Sequence, residues 1–185
     1  MRIAISGAHR TGKSTLVEGL CRSLPGHTSV QEPYRALEEE GHPFHESPTL
    51  EDFELQLERS IRSLLSGAAN QVFDRCPADF LAYLATHRNG SAFDPEPWME
   101  RARSAMQTLD LVVLVPIEQP DRIQLSAGDR PKWRRRVADE LRALLLDDAL
   151  DLGVTCIEVR GDAGERLDQV LRHLRGSQHT SERRG

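Results

Sequence analysis

The chain has 185 residues, of which 38% are apolar and 29% are charged, and its formal net charge is −5. This length suits one domain with its own core, and the composition is that of an ordinary globular protein rather than a fibrous or disordered one. The negative charge argues against a nucleic-acid binder that relies on neutralising phosphates, so nucleic acid is an unlikely partner.

Short β-type runs alternate with longer stretches of helical period along the chain, as in βαβ units on a parallel sheet. The strand candidates are Ile3–Ser6, Thr28–Glu32, Gln71–Asp74, Leu111–Val115 and Val154–Val159. The first, fourth and fifth runs are nearly unbroken in their apolar character, which is typical of strands covered by helices on both faces. The sequence therefore predicts an α/β fold of three layers with a five-stranded, mostly parallel sheet.

Six helices are predicted between and after these strands. Their expected ranges are Lys13–Leu24, Leu50–Leu65, Ala78–His87, Trp98–Thr108, Lys132–Leu150 and Ala163 to about Leu174. Thr49 and Asp52 have the spacing of a capping box at the start of the second helix. Asp162 is placed as the N-cap of the last helix. The conspicuous linker is Gly41–Thr49, which is rich in histidine, proline and glycine.

One domain is expected over residues 1–175, followed by a polar tail over residues 176–185 that is expected to fray. No apolar run approaches the roughly 20 residues of a membrane span, and no signal peptide is recognised before the first strand. The cysteines, Cys21, Cys76 and Cys156, are far apart and are interpreted as reduced thiols. The sequence therefore predicts a cytoplasmic protein without a membrane partner.

The most specific motif lies in the segment Gly7–Thr15. Its residues Gly7-Ala8-His9-Arg10-Thr11-Gly12-Lys13-Ser14 fit the pattern G-x-x-x-x-G-K-[ST], and Thr15 follows. In such a loop, backbone N–H groups close on phosphate oxygens, the lysine reaches the β- and γ-phosphates, and the hydroxyl binds Mg²⁺. The motif lies between the first strand and the first helix, which is its expected context; the alternative is a plain strand–helix turn. The sequence therefore predicts a site for ATP or GTP with Mg²⁺.

Charged side chains follow the second and third strands, and ligands of open α/β sheets bind outside the carboxyl ends of strands. The second strand ends in Glu32, and the third ends in Asp74-Arg75. A carboxylate near the γ-phosphate can hold the water shell of the metal or take a proton from an attacking hydroxyl. Glu32 and Asp74 are therefore the candidates for base or metal partner, and Asp74 and Ser14 are the metal candidates. The alternatives are a helix-cap or surface carboxylate at Glu32 and a structural ion pair at Asp74-Arg75.

Three groups of residues together resemble a known family. They are the loop Gly7–Thr15, the step Glu32…Arg35, and the pattern D-R-x-x-x-D-x-x-A-Y at Asp74, Arg75, Asp79, Ala82 and Tyr83; the closing stretch from Gly153 to Arg166 also fits. The chain resembles the P-loop AAA-type ATPase/kinase family that is associated with NAD metabolism and related to the nicotinamide riboside kinase domain. It resembles deoxynucleoside kinases more distantly. The resemblance spans about residues 2 to 171 and implies phosphoryl transfer to a small molecule.

The middle of the chain departs from this family. Cys76 stands where members often carry glycine after the aspartate–arginine pair, and residues 90–97 match nothing in the family. The sequence does not identify the acceptor.

A basic cluster follows the fourth strand. It begins at Asp121-Arg122 and continues with Arg130-Pro131-Lys132-Trp133-Arg134-Arg135-Arg136. In small P-loop kinases, a lid at this position carries arginines that neutralise charge during transfer, so Arg130, Arg134 or Arg136 is expected to act this way, with Gly128 as a hinge. A run of arginines at a helix N-terminus is unfavourable for the helix dipole, which indicates a nearby anion. The alternatives are a solvated basic face and a nucleic-acid patch around Trp133.

These inferences favour an ATP-dependent kinase that transfers the γ-phosphate to a hydroxyl of a small-molecule acceptor, for which a nucleoside is the candidate. Gly161 and Asp162 are expected near the nucleotide base, and no guanine-specific N-K-x-D stretch is present. The possible acceptor pocket consists of Tyr34, Phe44, His45 and Tyr83. Two alternatives stay open, a regulatory ATPase or NTPase that acts through a protein partner and a nucleotide-binding module with little turnover.

Overall fold

A computed structural model describes residues 1–121 and 130–182 of the chain. The strands in these ranges are β1 Arg2–Ser6, β2 Thr28–Val30, β3 Gln71–Asp74, β4 Leu111–Leu114 and β5 Cys156–Glu158. The helices are α1 Lys13–Ser23, α2 Pro33–Glu39, α3 Leu50–Leu65, α4 Pro77–Thr86, α5 Glu96–Met106, α6 Pro131–Leu145 and α7 Ala163–Glu182, with a 3₁₀ turn at Gly90–Ala92. No helix in the described ranges is long and apolar enough to cross a membrane.

The strands form one sheet in the order β2-β3-β1-β4-β5. Each of the four neighbouring pairs is parallel, with Ile5 of β1 opposite Asp74 of β3 and Ser6 of β1 opposite Leu114 of β4. The chain thus places β2 and β3 on one side of β1 and then β4 and β5 on the other. The loop after β1 lies where the strand order reverses, which is where open α/β sheets bind ligands.

Two apolar clusters cover the two faces of the sheet. Ala4 of β1 belongs to a cluster with α3, α4, α5 and α6, whereas its neighbours Ile3 and Ile5 belong to a cluster with α1 and α7. Successive side chains of a strand point to opposite faces, so both faces of β1 need apolar residues. This explains the unbroken apolar run and confirms the predicted three-layer α/β fold with a five-stranded sheet.

The predicted range of α3 and its capping box are confirmed. The Thr49 hydroxyl accepts the N–H of Asp52 at 3.2 Å, and the N–H of Thr49 donates to the Asp52 carboxylate at 2.9 Å. Asp162 caps α7 in the same reciprocal way, since its carboxylate accepts the N–H of Glu165 at 2.9 Å while its own N–H donates to the Glu165 side chain at 2.8 Å.

Other predicted bounds were wrong. β2 ends at Val30, and Glu32 instead precedes α2, a helix that the sequence analysis missed; Pro33 is preorganised for its first position. The predicted end of α6 was too late, since the helix ends at Leu145. α7 continues to Glu182 rather than ending near residue 174, because polar residues sustain a helix without adding to its apolar stripe. Arg122 and Gly128, assigned to a lid, lie outside the described residues.

Candidate active site around the glycine-rich loop

The loop that follows β1 requires glycine at its two ends. Gly7 has a φ of 152°, and a Cβ there would lie 2.4 Å from the carbonyl oxygen of Val115. Gly12 has a φ of 90° and is the N-cap residue of α1. The loop therefore packs tightly against the end of β4 and leads straight into the positive end of a helix, where anions bind favourably.

Five successive carbonyl groups of the loop each accept a side-chain hydrogen bond. Each of these carbonyls shares a planar peptide unit with the N–H of the next residue, so the bonds also fix the orientation of the N–H groups of residues 8–12. The loop is thereby held in a form that can enclose an anion. The donors are Arg75 to Gly7 at 3.0 Å, Thr11 and Lys13 to Ala8 at 3.0 and 2.8 Å, Arg134 to His9 and Arg10 at 2.9 Å each, and Arg166 to Thr11 at 2.6 Å.

Lys13 lies inside this loop with 6% of its surface exposed. Its burial, aided by the nearby charge of Arg75, lowers the pKa of the Lys13 amine to about 8, against the opposing effect of the carboxylates of Asp79, Asp74 and Glu32. A bound phosphate would add negative charge next to this amine and favour its protonated form.

Asp79 joins the loop to the start of α4 and is fully buried. Its Oδ1 accepts the N–H of Gly7 at 3.1 Å and the guanidinium of Arg75 at 3.0 Å, while its Oδ2 accepts the N–H of Cys76 at 3.0 Å. The sequence analysis used Asp79 in the family pattern but gave it no role in the site. The capping-box spacing of Cys76 and Asp79 was the available signal.

The buried Arg75 pairs with the half-buried Glu32 beside the loop. The Nε of Arg75 donates to the Glu32 carboxylate. Burial acts to raise the pKa of Glu32, but the charge of Arg75 and this hydrogen bond outweigh it, so the pKa is lowered. Glu32 is therefore held ionised and oriented by Arg75.

Asp74 at the end of β3 meets Ser14 in the first turn of α1. The Ser14 hydroxyl donates to Asp74 Oδ2 at 2.7 Å. The other carboxylate oxygen of Asp74 is buried and has no hydrogen-bond partner within the described residues. Burial raises the pKa of Asp74, against the hydrogen bond from Ser14 and the charge of Lys13.

These oxygen donors fit Mg²⁺. Mg²⁺ prefers oxygen ligands and usually takes one or two protein groups, with waters and substrate phosphates completing its shell. A hydroxyl beside a carboxylate with an unpartnered oxygen matches that requirement. Among the described residues no group of three histidine, cysteine, aspartate or glutamate side chains could hold a metal.

The arginines expected to cover a triphosphate occupy different positions. Arg134, 2% exposed, uses all three guanidinium nitrogens, donating to the carbonyls of His9 and Arg10 and to the carboxylate of Asp121. Arg130 is exposed and donates to the Ser47 hydroxyl at 3.5 Å. Arg134 thus contacts the backbone of the loop.

A cavity of about 300 Å³ opens beside the loop and is walled by aromatic rings. Phe53 and Tyr83 stack in parallel with ring centroids 5.0 Å apart, and Trp133 meets both rings edge-on at 6.0 and 5.5 Å. The indole N–H of Trp133 donates to Thr86 at 3.1 Å. Tyr34, Phe80 and His87 add further rings, and His9, Glu32 and Arg75 are among the polar residues that line the cavity.

The structure brings together part of the predicted acceptor pocket. Tyr34 and Tyr83 line the aromatic cavity, and Phe44 stacks on Tyr34 with centroids 4.3 Å apart. His45 instead has its Nδ1 3.1 Å from a carboxylate oxygen of Asp52 and lines a neighbouring cavity.

Another cavity, of about 180 Å³, borders the loop. Its walls include Gly161 and Asp162, the residues expected near the nucleotide base, together with Arg10, Thr11 and Gly12 of the loop. Arg166 also lines this cavity and was missed as a site residue. A cation in the first turn of α7, where the helix dipole disfavours it, was the signal that could have found it.

Comparison with known proteins gives a family and a fold. A family model described as an AAA domain matches residues 2–166 of the chain, whereas no curated protein matches it. Deoxyadenosine kinase from M. mycoides, solved with products dCMP and dCDP, is similar with a TM-score of 0.67 and 14% identity, over 95% of this chain and 100% of that one. Thymidylate kinase from Ehrlichia chaffeensis is similar with a TM-score of 0.65 and 12% identity, over 94% of this chain and 98% of that one. A NadR protein in complex with NR is similar with a TM-score of 0.57 and 20% identity, over 87% of this chain and 44% of that one.

Proposed function

Because the chain belongs to the AAA-domain family, whose model spans residues 2–166, we propose that it is a P-loop kinase. It transfers the γ-phosphate of ATP, with Mg²⁺, to a hydroxyl group of a small nucleoside-like acceptor. The observation that carries this proposal is the aromatic cavity that opens beside the glycine-rich loop. The fold that the chain shares with deoxyadenosine and thymidylate kinases supports it.

The aromatic cavity is suited to a flat ring with a polar arm. Its volume of about 300 Å³ is at the lower end of the range for small-molecule sites. Phe53, Tyr83 and Trp133 offer ring faces and edges for stacking. Glu32 and Arg75 lie at the end next to the loop, where a hydroxyl of the acceptor would meet the phosphate. A regulatory NTPase that only hydrolyses nucleotide needs no such cavity.

The nucleotide would lie along the loop. Its phosphates would accept hydrogen bonds from the N–H groups of residues 8–12 and lie at the positive end of α1. Lys13 would stabilise the charge of the β- and γ-phosphates. Its base would occupy the cavity beside Gly161 and Asp162. Ser14 and Asp74 would hold Mg²⁺, which when bound offsets the negative charge of the phosphates.

Glu32 is the proposed base, because it lines the acceptor cavity as an ionised carboxylate. It accepts the proton of the acceptor hydroxyl while that oxygen bonds to the γ-phosphorus. The bond between the γ-phosphorus and its bridging oxygen breaks, and ADP leaves. Arg75 orients Glu32, Arg130 lies at the rim of the same cavity to neutralise charge, and Arg134 supports the loop.

The test is ADP release from MgATP, alone and with a panel of nucleosides that includes nicotinamide riboside, with mass analysis of the product. Stimulation by one acceptor, with a phosphorylated product of matching mass, is the expected result. Steady hydrolysis that no acceptor changes would favour the regulatory NTPase and a protein partner instead.

A further inference from the structure

The guanidinium of Arg166 contacts the phosphate loop, although the residue belongs to α7. Its NH1 donates to the carbonyl of Thr11 at 2.6 Å, and the whole residue is 8% exposed. A Cβ on Gly12 would lie 3.1 Å from this NH1. The glycine therefore serves two needs, since it adopts a φ of 90° and leaves space for the guanidinium.

Glu118 connects the same guanidinium to the turn after β5. Oε1 of Glu118 accepts NH2 of Arg166 at 2.8 Å and the N–H of Gly161 at 2.8 Å. One carboxylate oxygen thus joins the segment after β4, the turn at Gly161 and, through Arg166, the phosphate loop.

The pairing of Arg166 with Glu118 carries local free-energy costs. Arg166 lies in the first turn of α7, where the dipole disfavours a cation. Its Nε is buried and has no hydrogen-bond partner within the described residues, and removing a charged pair from water costs free energy that only good geometry repays. The side chains of Arg166 and Glu118 are only 10% and 15% exposed. A pair that served the packing of α7 alone would be replaced favourably by apolar residues.

Arg166 contacts the phosphate loop, and Glu118 contacts the turn beside the cavity assigned to the base. The pair therefore touches both parts of the proposed nucleotide site. Thr11 and Gly12 belong to the phosphate loop, while Gly161 borders the cavity assigned to the base. We propose that Arg166 and Glu118 are a positioning pair that couples base binding to the geometry of the phosphate loop, an inference that rests on the proposed nucleotide site. A ligand that spans both halves depends on the pair more than one that fills the loop alone.

The test measures binding by calorimetry for two probes, MgATP and magnesium tripolyphosphate, which lacks the base. Arg166→Gln and Glu118→Gln are each expected to lower the affinity for MgATP by about tenfold or more, the effect of losing a charged hydrogen bond. The loss of affinity for tripolyphosphate is expected to be several times smaller. Because the two residues act as one unit, the double variant is expected to lose no more than Arg166→Gln alone. Arg172→Gln, on an exposed position of the same helix, is the matched control.

Arg166→Lys keeps the charge but cannot reach both acceptors in the fork geometry of arginine. This variant should show an intermediate loss of affinity for MgATP, and it remains informative if Arg166→Gln folds poorly. Equal losses for the two probes, or MgATP affinity within twofold of wild type in a folded variant, overturn the coupling. Absence of binding by the wild-type chain to either probe overturns the nucleotide site itself, so the two failures are distinguishable.

Discussion

The Nε of Arg134 donates to the carbonyl oxygen of His9 at 2.9 Å, although the two residues are 125 positions apart. The preceding residue, Trp133, lines the aromatic cavity. One turn of α6 therefore contacts both the phosphate loop and the proposed acceptor site. Any displacement of this turn would change the shape of both.

Replacement of Arg134 by glutamine should lower stability as well as activity. The change removes the guanidinium that donates to the carbonyls of His9 and Arg10, and we expect a loss of about 2 kcal/mol in the free energy of unfolding. Denaturant unfolding measures this, with the exposed Arg135→Gln as control. Unchanged stability together with a collapsed kcat would instead assign Arg134 to the phosphates, as a lid arginine.

Lys13→Ala should weaken MgATP binding and lower kcat by about 100-fold or more, because the buried cation that contacts the loop at Ala8 is removed. The control is Lys132→Ala, since Lys132 is the other lysine of the chain and is exposed. Steady-state kinetics and calorimetry measure the two effects. Near-normal turnover in the Lys13 variant would refute the assignment of the loop.

The pH dependence of stability should carry a signature of Lys13. Its pKa is about 8 in the folded protein, against an ordinary lysine pKa of 10.5, so the unfolded chain binds more protons between these two pH values. The contribution of Lys13 to the free energy of unfolding therefore rises with pH across this window, by about 3 kcal/mol. The difference in the free energy of unfolding between wild type and Lys13→Ala, measured from pH 7 to pH 10.5, separates the contribution of Lys13 from those of other groups. A flat difference would show that Lys13 titrates normally.

Glu32→Gln keeps a partner for Arg75 but removes the proton acceptor. We expect kcat to fall by about 100-fold or more, with the KM for ATP little changed. A pH–rate profile provides the second measurement, since its acidic limb should disappear in the variant. If kcat stays within a few-fold of wild type, Glu32 serves structure alone.

Asp74→Asn should retain stability and lose activity. The raised pKa of Asp74 means that its contribution to folding is greatest below the unfolded value and falls as pH rises through the folded one. At pH 7 the ionised form therefore opposes folding, and neutral asparagine removes that cost while still accepting from Ser14. The melting temperature without metal should stay equal or increase, while the Mg²⁺ concentration for half-maximal activity rises about tenfold or more. Loss of stability in proportion to activity would mark Asp74 as structural.

The sequence was most informative where a signal is local. The loop motif and the capping box of α3 depend on spacings of a few residues, and both are found where they were predicted. Arg166 and Asp79 reach the loop from 155 and 72 residues away, and no local pattern specifies such pairs. The missed helix α2 has seven residues and buries only Pro33 and Leu37, so it lacks the periodic stripe that identifies longer helices.

The edge-on packing of Trp133 against Tyr83 gives the protein a built-in optical reporter. The chain has two tryptophans, and the other, Trp98, lies on α5 next to Arg101 rather than at the cavity. In a Trp98→Phe variant the ultraviolet emission would come from the cavity wall alone. An acceptor that stacks there would change the surroundings of the indole, so its arrival could be followed by stopped-flow fluorescence in real time, without a label and before any phosphate is transferred.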